Sequence, residues 1–215
     1  HTCAVRSSGG VVCWGNNALG QLGDGTITNR SRPVAVMVDA NNALAGVASG
    51  SRVLDGGAEF TCAVAQSGAL YCWGDGATGE LGRGNTTSSR FAVQVSTITN
   101  VQSVAAHSAA AGHACAVHAA GLHCWGYNAT GQLGDGTVTQ RTAPVSVRLS
   151  EAAGQVGNPD LASPVISVAT GEYHTLGVHS NGVISAWGSG AEGRLGTGRV
   201  DQESTPRAVC VQPIR

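Results

Sequence analysis

Apolar residues along this chain gather into short runs separated by glycine-, serine- and asparagine-rich stretches. His1-Thr-Cys-Ala-Val5 and Val11-Val-Cys-Trp-Gly15 flank a Ser/Gly turn, the signature of a β-hairpin. A later run, Pro33-Val-Ala-Val-Met-Val38, reads as a further strand with proline at its start, where a missing N–H is tolerated. Val53-Leu-Asp-Gly-Gly57 reads as a strand ahead of the second hairpin. Val101-Gln-Ser-Val-Ala105 and Val165-Ile-Ser-Val-Ala169 are read as its counterparts. No run carries a helical period, and each glycine inside a helix would cost about 1 kcal/mol. The expected fold is all-β.

The runs recur. Trp-Gly occurs at Trp14, Trp73, Trp125 and Trp187, and each is followed at the same spacing by Leu-Gly, at Leu22, Leu81, Leu133 and Leu195. Further glycines keep step (Gly20, Gly79, Gly131, Gly193 and then Gly25, Gly84, Gly136, Gly198). So do Pro33, Pro144 and Pro206, with Ala92 in the remaining copy. Fixed spacing inside the unit and variable length between units confine insertions to loops. Four short strands per repeat predict the blade of a β-propeller. The predicted repeats cover residues 1–38, 53–95, 101–149 and 165–211 of a single domain spanning 1–215. Loop inserts fall at 39–52, 107–112 and 150–163. The first repeat lacks its opening strand, so the expectation is three complete blades and one three-stranded blade. Part of a longer ring, an arc completed by another chain and a closed four-bladed ring all fit this count. Unpaired sheet edges favour a larger ring or assembly.

Composition narrows the classes. The 215 residues hold 12 basic and 13 acidic side chains, for a net charge of −1, and every basic one is arginine. That balance lacks the electrostatic footprint of a nucleic-acid binder. No apolar run reaches the ~18 residues of a membrane span. Glycine supplies 32 residues without a triplet period, which excludes collagen and favours turns.

The motif His-Thr-Cys-Ala-Val, then Gly-x-Val-x-Cys-Trp-Gly-x-Asn-x-x-Gly-Gln-Leu-Gly-Asp-Gly-Thr, then Pro-Val-x-Val resembles the regulator of chromosome condensation type 1 repeat. It is clearest at Cys3 to Val38 and Cys115 to Leu149. The copy at Trp73 departs with Glu80, Arg83 and Asn85, and that at Trp187 with Arg194 and Thr197. The resemblance implies a propeller, usually of seven blades. Its functions are diverse: nucleotide exchange on a small GTPase with chromatin docking, light sensing, and protein inhibition of enzymes. No functional residue carries over position by position. Each repeat has a single tryptophan and there is no basic tail, so neither the light-sensing nor the chromatin role is supported.

Six of the seven cysteines fall in pairs that flank the first three hairpins: Cys3 with Cys13, Cys62 with Cys72, and Cys115 with Cys124. If Val5 faces Val11, Cys3 faces Cys13 on the same side of the hairpin, within disulfide reach. In the fourth hairpin both positions change together, to Leu176 and Ala186. Joint loss of both partners is what a covalent pair predicts. Three disulfides point to an extracellular, periplasmic or cell-surface setting. The alternatives are cysteine as a small core residue, or zinc, although pairs on separate blades lack zinc-site spacing. Cys210 remains, as a buried thiol or as the partner of a cysteine on another chain. Asn29, Asn85 and Asn128 head glycosylation sequons. Asn29 and Asn85 lie in long loops, whereas Asn128 lies in a tight turn where packing competes with a sugar.

Candidate chemistry is sparse. His1, His113 and His174 share one repeat position, with Phe60 in the other copy, and His118 and His179 share another. Repeated positions mark architecture, so these histidines, with His123, are expected to be structural. Asp24 and Asp135 share a turn and are expected to cap it. The Gly-Gln-Leu-Gly loops lack the Gly-Lys-Ser/Thr of a phosphate loop. No catalytic residue, metal ligand or cofactor site is assigned. The leading expectation is a non-enzymatic extracellular scaffold that binds a protein or a cell-surface ligand, with no nucleic acid and no membrane insertion. The alternatives are a structural block of an extracellular assembly, an extracellular enzyme working in the propeller channel, and an exchange factor.

Overall fold

The structure, a computed structural model, describes residues 1–48, 50, 53–107, 112–149 and 161–210. The predicted inserts at 107–112 and 150–163 lie largely outside the described residues. The fold is built from four antiparallel sheets. The first holds β1 (Thr2–Val5), β2 (Val11–Gly15) and β3 (Arg30–Ala35). The second holds β4 (Leu54–Gly56), β5 (Phe60–Val64), β6 (Leu70–Gly74) and β7 (Ser89–Gln94). The third holds β8 (Val101–His107), β9 (His113–His118), β10 (Gly121–Gly126) and β11 (Arg141–Ser146). The fourth holds β12 (Val165–Thr170), β13 (His174–His179), β14 (Ile184–Gly188) and β15 (Glu203–Ala208). A 3-10 turn at Ala191–Gly193 is the only helical element among the described residues. The inner strands β4, β8 and β12 lie side by side, so the sheets radiate from a common inner edge as propeller blades do.

The hairpin register follows the apolar pattern. Cys3 faces Cys13, Val5 faces Val11, and Leu176 faces Ala186. Two expectations are corrected. In the inner strands Leu54 takes the place of Val104 and Val168, where the expected alignment matched it with Gln102 and Ile166. Leu54, Val104 and Val168 face the equivalent Ala63, Ala116 and Gly177. Those strands therefore stand two residues out of the expected register, and each carries a one-residue bulge just before that place, between Val101 and Ser103 and between Val165 and Ser167. The outer strand β3 begins at Arg30, so Pro33 sits inside it. β3 is an edge strand, where proline removes no ladder bond. At the same place in the second blade Ala92 keeps an N–H and donates it across to the Met37 carbonyl at 2.8 Å.

Successive blades are locked by one joint made three times. Trp73, Trp125 and Trp187 are fully buried, and each donates its indole Nε1–H to a carbonyl of the preceding blade: Gln21 at 2.9 Å, Glu80 at 2.8 Å and Gln132 at 2.9 Å. Each indole lies on a glycine of that same loop. A Cβ on Gly23, Gly82 or Gly134 would meet the ring at 2.9, 2.9 or 2.7 Å, and all three glycines have positive φ. The loop also reaches the next blade's outer strand, with Gly25, Gly84 and Gly136 amides donating to Arg90, Thr142 and Ser204 carbonyls. Sequence repetition thus becomes a repeated contact, in which each of the first three Leu-Gly loops clasps the blade that follows.

Candidate interaction surface

Antiparallel order sends the loops to two ends of the blades. One end carries the turns between inner and second strands and the long Trp-Gly to Leu-Gly loops (16–29, 75–88, 127–140, 189–202). The other carries the hairpin turns and the connections between blades. Ile27, Val138 and Val200 lie in the long loops at the same repeat position, thirteen residues after each tryptophan, with Thr86 in the remaining copy. They are 65%, 53% and 68% exposed. Scattered exposed apolar residues need no explanation, but one that recurs at one place in three blades forms a row on a rigid edge. No apolar period marks this row in the sequence; its only signal is the shared spacing from each tryptophan.

Two of the three loops that present the row, those of Ile27 and Val138, are stiffened by buried polar networks. Asn17 and Asn128 are fully buried. The Asn128 Nδ2 donates to Asp135 Oδ1 at 3.3 Å and to the Thr137 and Thr139 carbonyls, while its Oδ1 accepts the Leu133 amide. Asn17 does the same with Asp24, Thr26, Thr28 and Leu22. Arg30 and Arg141 close the networks on Asp24 and Asp135, each at 2.7 Å. Burial disfavours the Asp135 charge, but hydrogen bonds from Thr137 and Arg141 outweigh it and hold the carboxyl below its ordinary range. Asp24 is held down in the same way by Thr26 and Arg30. Asn128 is fully buried with its Nδ2 donating into the loop, so packing competes with a sugar there. Asn29 and Asn85 are exposed, with Oδ1 accepting the Asn17 and Thr87 amides respectively.

The structure brings the paired cysteines together as Cys3–Cys13, Cys62–Cys72 and Cys115–Cys124 disulfides, with Cα atoms 4.1, 4.1 and 4.0 Å apart. Cys210 is exposed and unbonded to another sulfur. Such bonds fit an oxidising, non-cytosolic environment. Among the described residues no group of three or more His, Cys, Asp or Glu could hold a metal ion, and no helix is long and apolar enough to cross a membrane.

The histidines work inside the fold. The His1 Nε2 meets Thr61 Oγ1 at 2.7 Å and the His113 Nε2 meets Thr175 Oγ1 at 2.9 Å, each on the following blade. Thr61 and Thr175 donate their hydroxyls to the Gln21 and Gln132 carbonyls, so the imidazoles must donate to them. His179 is buried between the Ser163 carbonyl and Ser185 Oγ. His118 bonds His123, which bonds Ser146, at 2.8 and 2.9 Å. A shallow pocket of about 200 Å³ opens between β1 and β4, lined by His1, Cys3, Leu54, Asp55, Gly56 and Thr61.

His113 is fully buried, and desolvation, with His107 and His174 nearby, pushes its pKa down to about 3. A histidine kept neutral in the fold but free to protonate when unfolded destabilises the protein as pH falls. Its contribution is complete above the ordinary histidine range near 6.5 and is lost toward the folded value. Stability from denaturant melts is expected to fall between pH 6.5 and pH 4 by as much as about 1 kcal/mol per unit from this group. A His113→Phe/Thr175→Ala variant, which copies Phe60 and Ala114, should flatten that slope. An unchanged slope in the variant would contradict the assignment.

Models of the regulator of chromosome condensation (RCC1) repeat match residues 8–53, 67–117 and 121–178, and a second model of the same description matches 165–194. The ultraviolet-B receptor UVR8 of Arabidopsis thaliana is 31% identical over 209 residues, which is 97% of this chain and 44% of the receptor. The E3 ubiquitin-protein ligase HERC2 of Homo sapiens is 25% identical over 98% of this chain and 4% of its own length. The chain therefore spans less than half of these relatives. Among solved structures, human WBSCR16 superposes with a TM-score of 0.79 at 22% identity, covering 97% of this chain and 50% of that one. Prp20p of Saccharomyces cerevisiae, described with its binding to Gsp1p and histones, gives 0.70 at 20% identity, covering 94% and 46%.

Proposed function

The chain belongs to the regulator of chromosome condensation repeat family, and from that premise we propose that it is a non-enzymatic protein-binding scaffold of the cell exterior: secreted, periplasmic or surface-displayed. The row formed by Ile27, Val138 and Val200 carries the reading, because it puts apolar contact area at one end of the blades, two of the three blades concerned being pinned by a disulfide. Rigid presentation lowers the ordering cost of association. The histidines and the aspartates Asp24 and Asp135 are engaged in holding blades and loops together, which supports binding over catalysis. That Prp20p is described with its binding to Gsp1p and histones supports a protein partner. The four repeats act as one domain in this reading, with partner choice set by the long loops.

Changing all three row residues to serine tests it. Each is a surface position whose substitution should alter stability by no more than about 0.5 kcal/mol. A protein retained by the wild-type chain from its native extracellular fluid should be lost by Ile27→Ser/Val138→Ser/Val200→Ser. It should be kept by Ile166→Ser/Ile184→Ser, which alters exposed apolar residues at the opposite end of the fourth blade. Equal retention by both variants would overturn the assignment of the row. Substrate turnover with no retained partner would overturn the scaffold.

A further inference from the structure

The third blade sets two imidazoles against each other. In its sheet His123 on β10 faces Ala116 on β9 and Ser146 on β11, while His118 on β9 faces Gly121, two residues before His123. Side chains alternate across a strand, so His118, His123 and Ser146 share one face at the hairpin end of the blade. His118 and His123 are half-buried and Ser146 is exposed, so solvent reaches the cluster. The other blades do not repeat it. The places of His118, His123 and Ser146 hold Arg6, Val12 and Ala35 in the first blade, Ala65, Tyr71 and Gln94 in the second, and His179, Ser185 and Ala208 in the fourth. Repeat architecture accounts for His118, whose place the fourth blade also fills with histidine, but not for His123 beside it.

The Nε2 of His118 and the Nδ1 of His123 are 2.8 Å apart. A neutral imidazole has one N–H and one lone pair, so a single proton stands between these two nitrogens. Oxygens wait at the far side of each ring to take the protons instead. His123 Nε2 lies 2.9 Å from Ser146 Oγ, and the Thr99 backbone favours a proton on His118. The Ala120 amide approaches His118 Nδ1 only to 3.5 Å, too far to hold that atom as an acceptor. With both protons turned outward, two lone pairs are left facing each other, an arrangement that calls for a cation. Outward bonds of this kind are what orient metal-ligating histidines. Burial holds both imidazoles below the ordinary histidine range, and the His118 charge adds to this at His123, so both are neutral near pH 7, as ligands must be.

We propose that His118 and His123 form a two-histidine site for a divalent transition metal of the cupric type, with water in the remaining positions and Ser146 holding His123 from outside. The separation selects the metal. Two nitrogens each ~2.0 Å from one ion lie ~2.8 Å apart at the right angle of a square plane and ~3.3 Å apart at a tetrahedral angle. The observed 2.8 Å fits the square plane of Cu(II) or Ni(II) better than the tetrahedron of zinc. The ring centroids are 4.5 Å apart with planes tilted by 56°. That is closer than two rings set in line through these atoms, so the ring axes bend off the line joining the nitrogens, as a shared ion requires. Among the described residues no third histidine, cysteine or carboxylate joins the pair, which leaves the ion open to solvent.

Titration with cupric ion tests this on the 215-residue chain, free of any affinity tag and with Cys210 alkylated so that its exposed thiol does not reduce the metal. Electron paramagnetic resonance should show one axial Cu(II) species coupled to imidazole nitrogen. Nuclear magnetic resonance should show paramagnetic broadening centred on His118 and His123. His118→Ala and His123→Tyr copy Ala65 and Tyr71 of the second blade, which keeps the hairpin foldable, and circular dichroism checks each. Either variant should lose this equivalent, while copper held at other histidines is unchanged. Ser146→Ala, which copies Ala35 and Ala208, should weaken binding by about tenfold through the freed imidazole. A cupric equivalent that survives both histidine variants, broadening centred elsewhere, or a spectrum without nitrogen coupling would each overturn the site. Unchanged affinity in Ser146→Ala would overturn the part assigned to Ser146.

Discussion

Trp125→Ala is expected to cost about 3–5 kcal/mol in guanidinium unfolding, the range for a fully buried large side chain that leaves a cavity. The same change at Trp14 should cost less than about 2 kcal/mol. The two residues hold the same place in the repeat, so propensity, neighbours in sequence and hairpin register are matched. What differs is the joint. Trp125 is fully buried, donates to the Glu80 carbonyl at 2.8 Å and lies on Gly82. Trp14 has no preceding blade to donate to among the described residues. A domain of this size is stable by roughly 5–15 kcal/mol, so the Trp125 variant approaches the edge of folding whereas the Trp14 variant does not. Repeat proteins sum nearest-neighbour terms, and the loss should therefore appear first in the blades on either side of Glu80 and Trp125. Equal losses at the two sites, with dilute protein, would show that the tryptophans stabilise their own blades and do not tie one blade to the next.

Reduction of the disulfides is the second large effect. Each closes a short loop, with sequence separations of 10, 10 and 9, and chain-entropy bookkeeping gives about 2–3 kcal/mol apiece. The three together are comparable to the whole stability of a domain. Reductant titration with alkylation should open Cys3–Cys13 first, because Cys3 is half-buried while Cys62, Cys72, Cys115 and Cys124 are fully buried. The fourth blade shows what replaces a disulfide, since Leu176 faces Ala186 at the same register. Cys115→Leu/Cys124→Ala should therefore keep the blade fold while lowering the unfolding midpoint. Simultaneous reduction of all three bonds, or no change in midpoint, would contradict this account of what the bonds do.

The hairpins and disulfide partners were legible because paired apolar residues define a period of two, and a hairpin turn sets the register of both strands. Blade number was legible because the Trp-Gly to Leu-Gly spacing is invariant. The inner strands were misaligned because β8 and β12 begin further ahead of the residues that match Leu54 than β4 does, across a bulge that no apolar pattern marks. The Pro33 expectation failed for a related reason: the strand begins among Arg30, Ser31 and Arg32, polar residues that an exposed edge tolerates. The joints were hidden because His1 and Thr61, or Trp73 and Gln21, are far apart in sequence. Only the repeat alignment of His1, Phe60, His113 and His174 against Thr2, Thr61, Ala114 and Thr175 brings the pairs out. The Ile27, Val138 and Val200 row lay in the same alignment, in a loop where exposed apolar residues are read as noise.

Exchange of the indole N–H protons, read by nuclear magnetic resonance on dilute, monomeric protein, tests most directly the claim that each blade is clasped by the loop of the blade before it. The chain has four tryptophans and so four indole signals. Slow exchange is expected for Trp73, Trp125 and Trp187, whose donors are buried against carbonyls of the preceding blade, and fast exchange for Trp14. Fast exchange at any of the first three, or protection of Trp14 equal to theirs in the monomer, would contradict it.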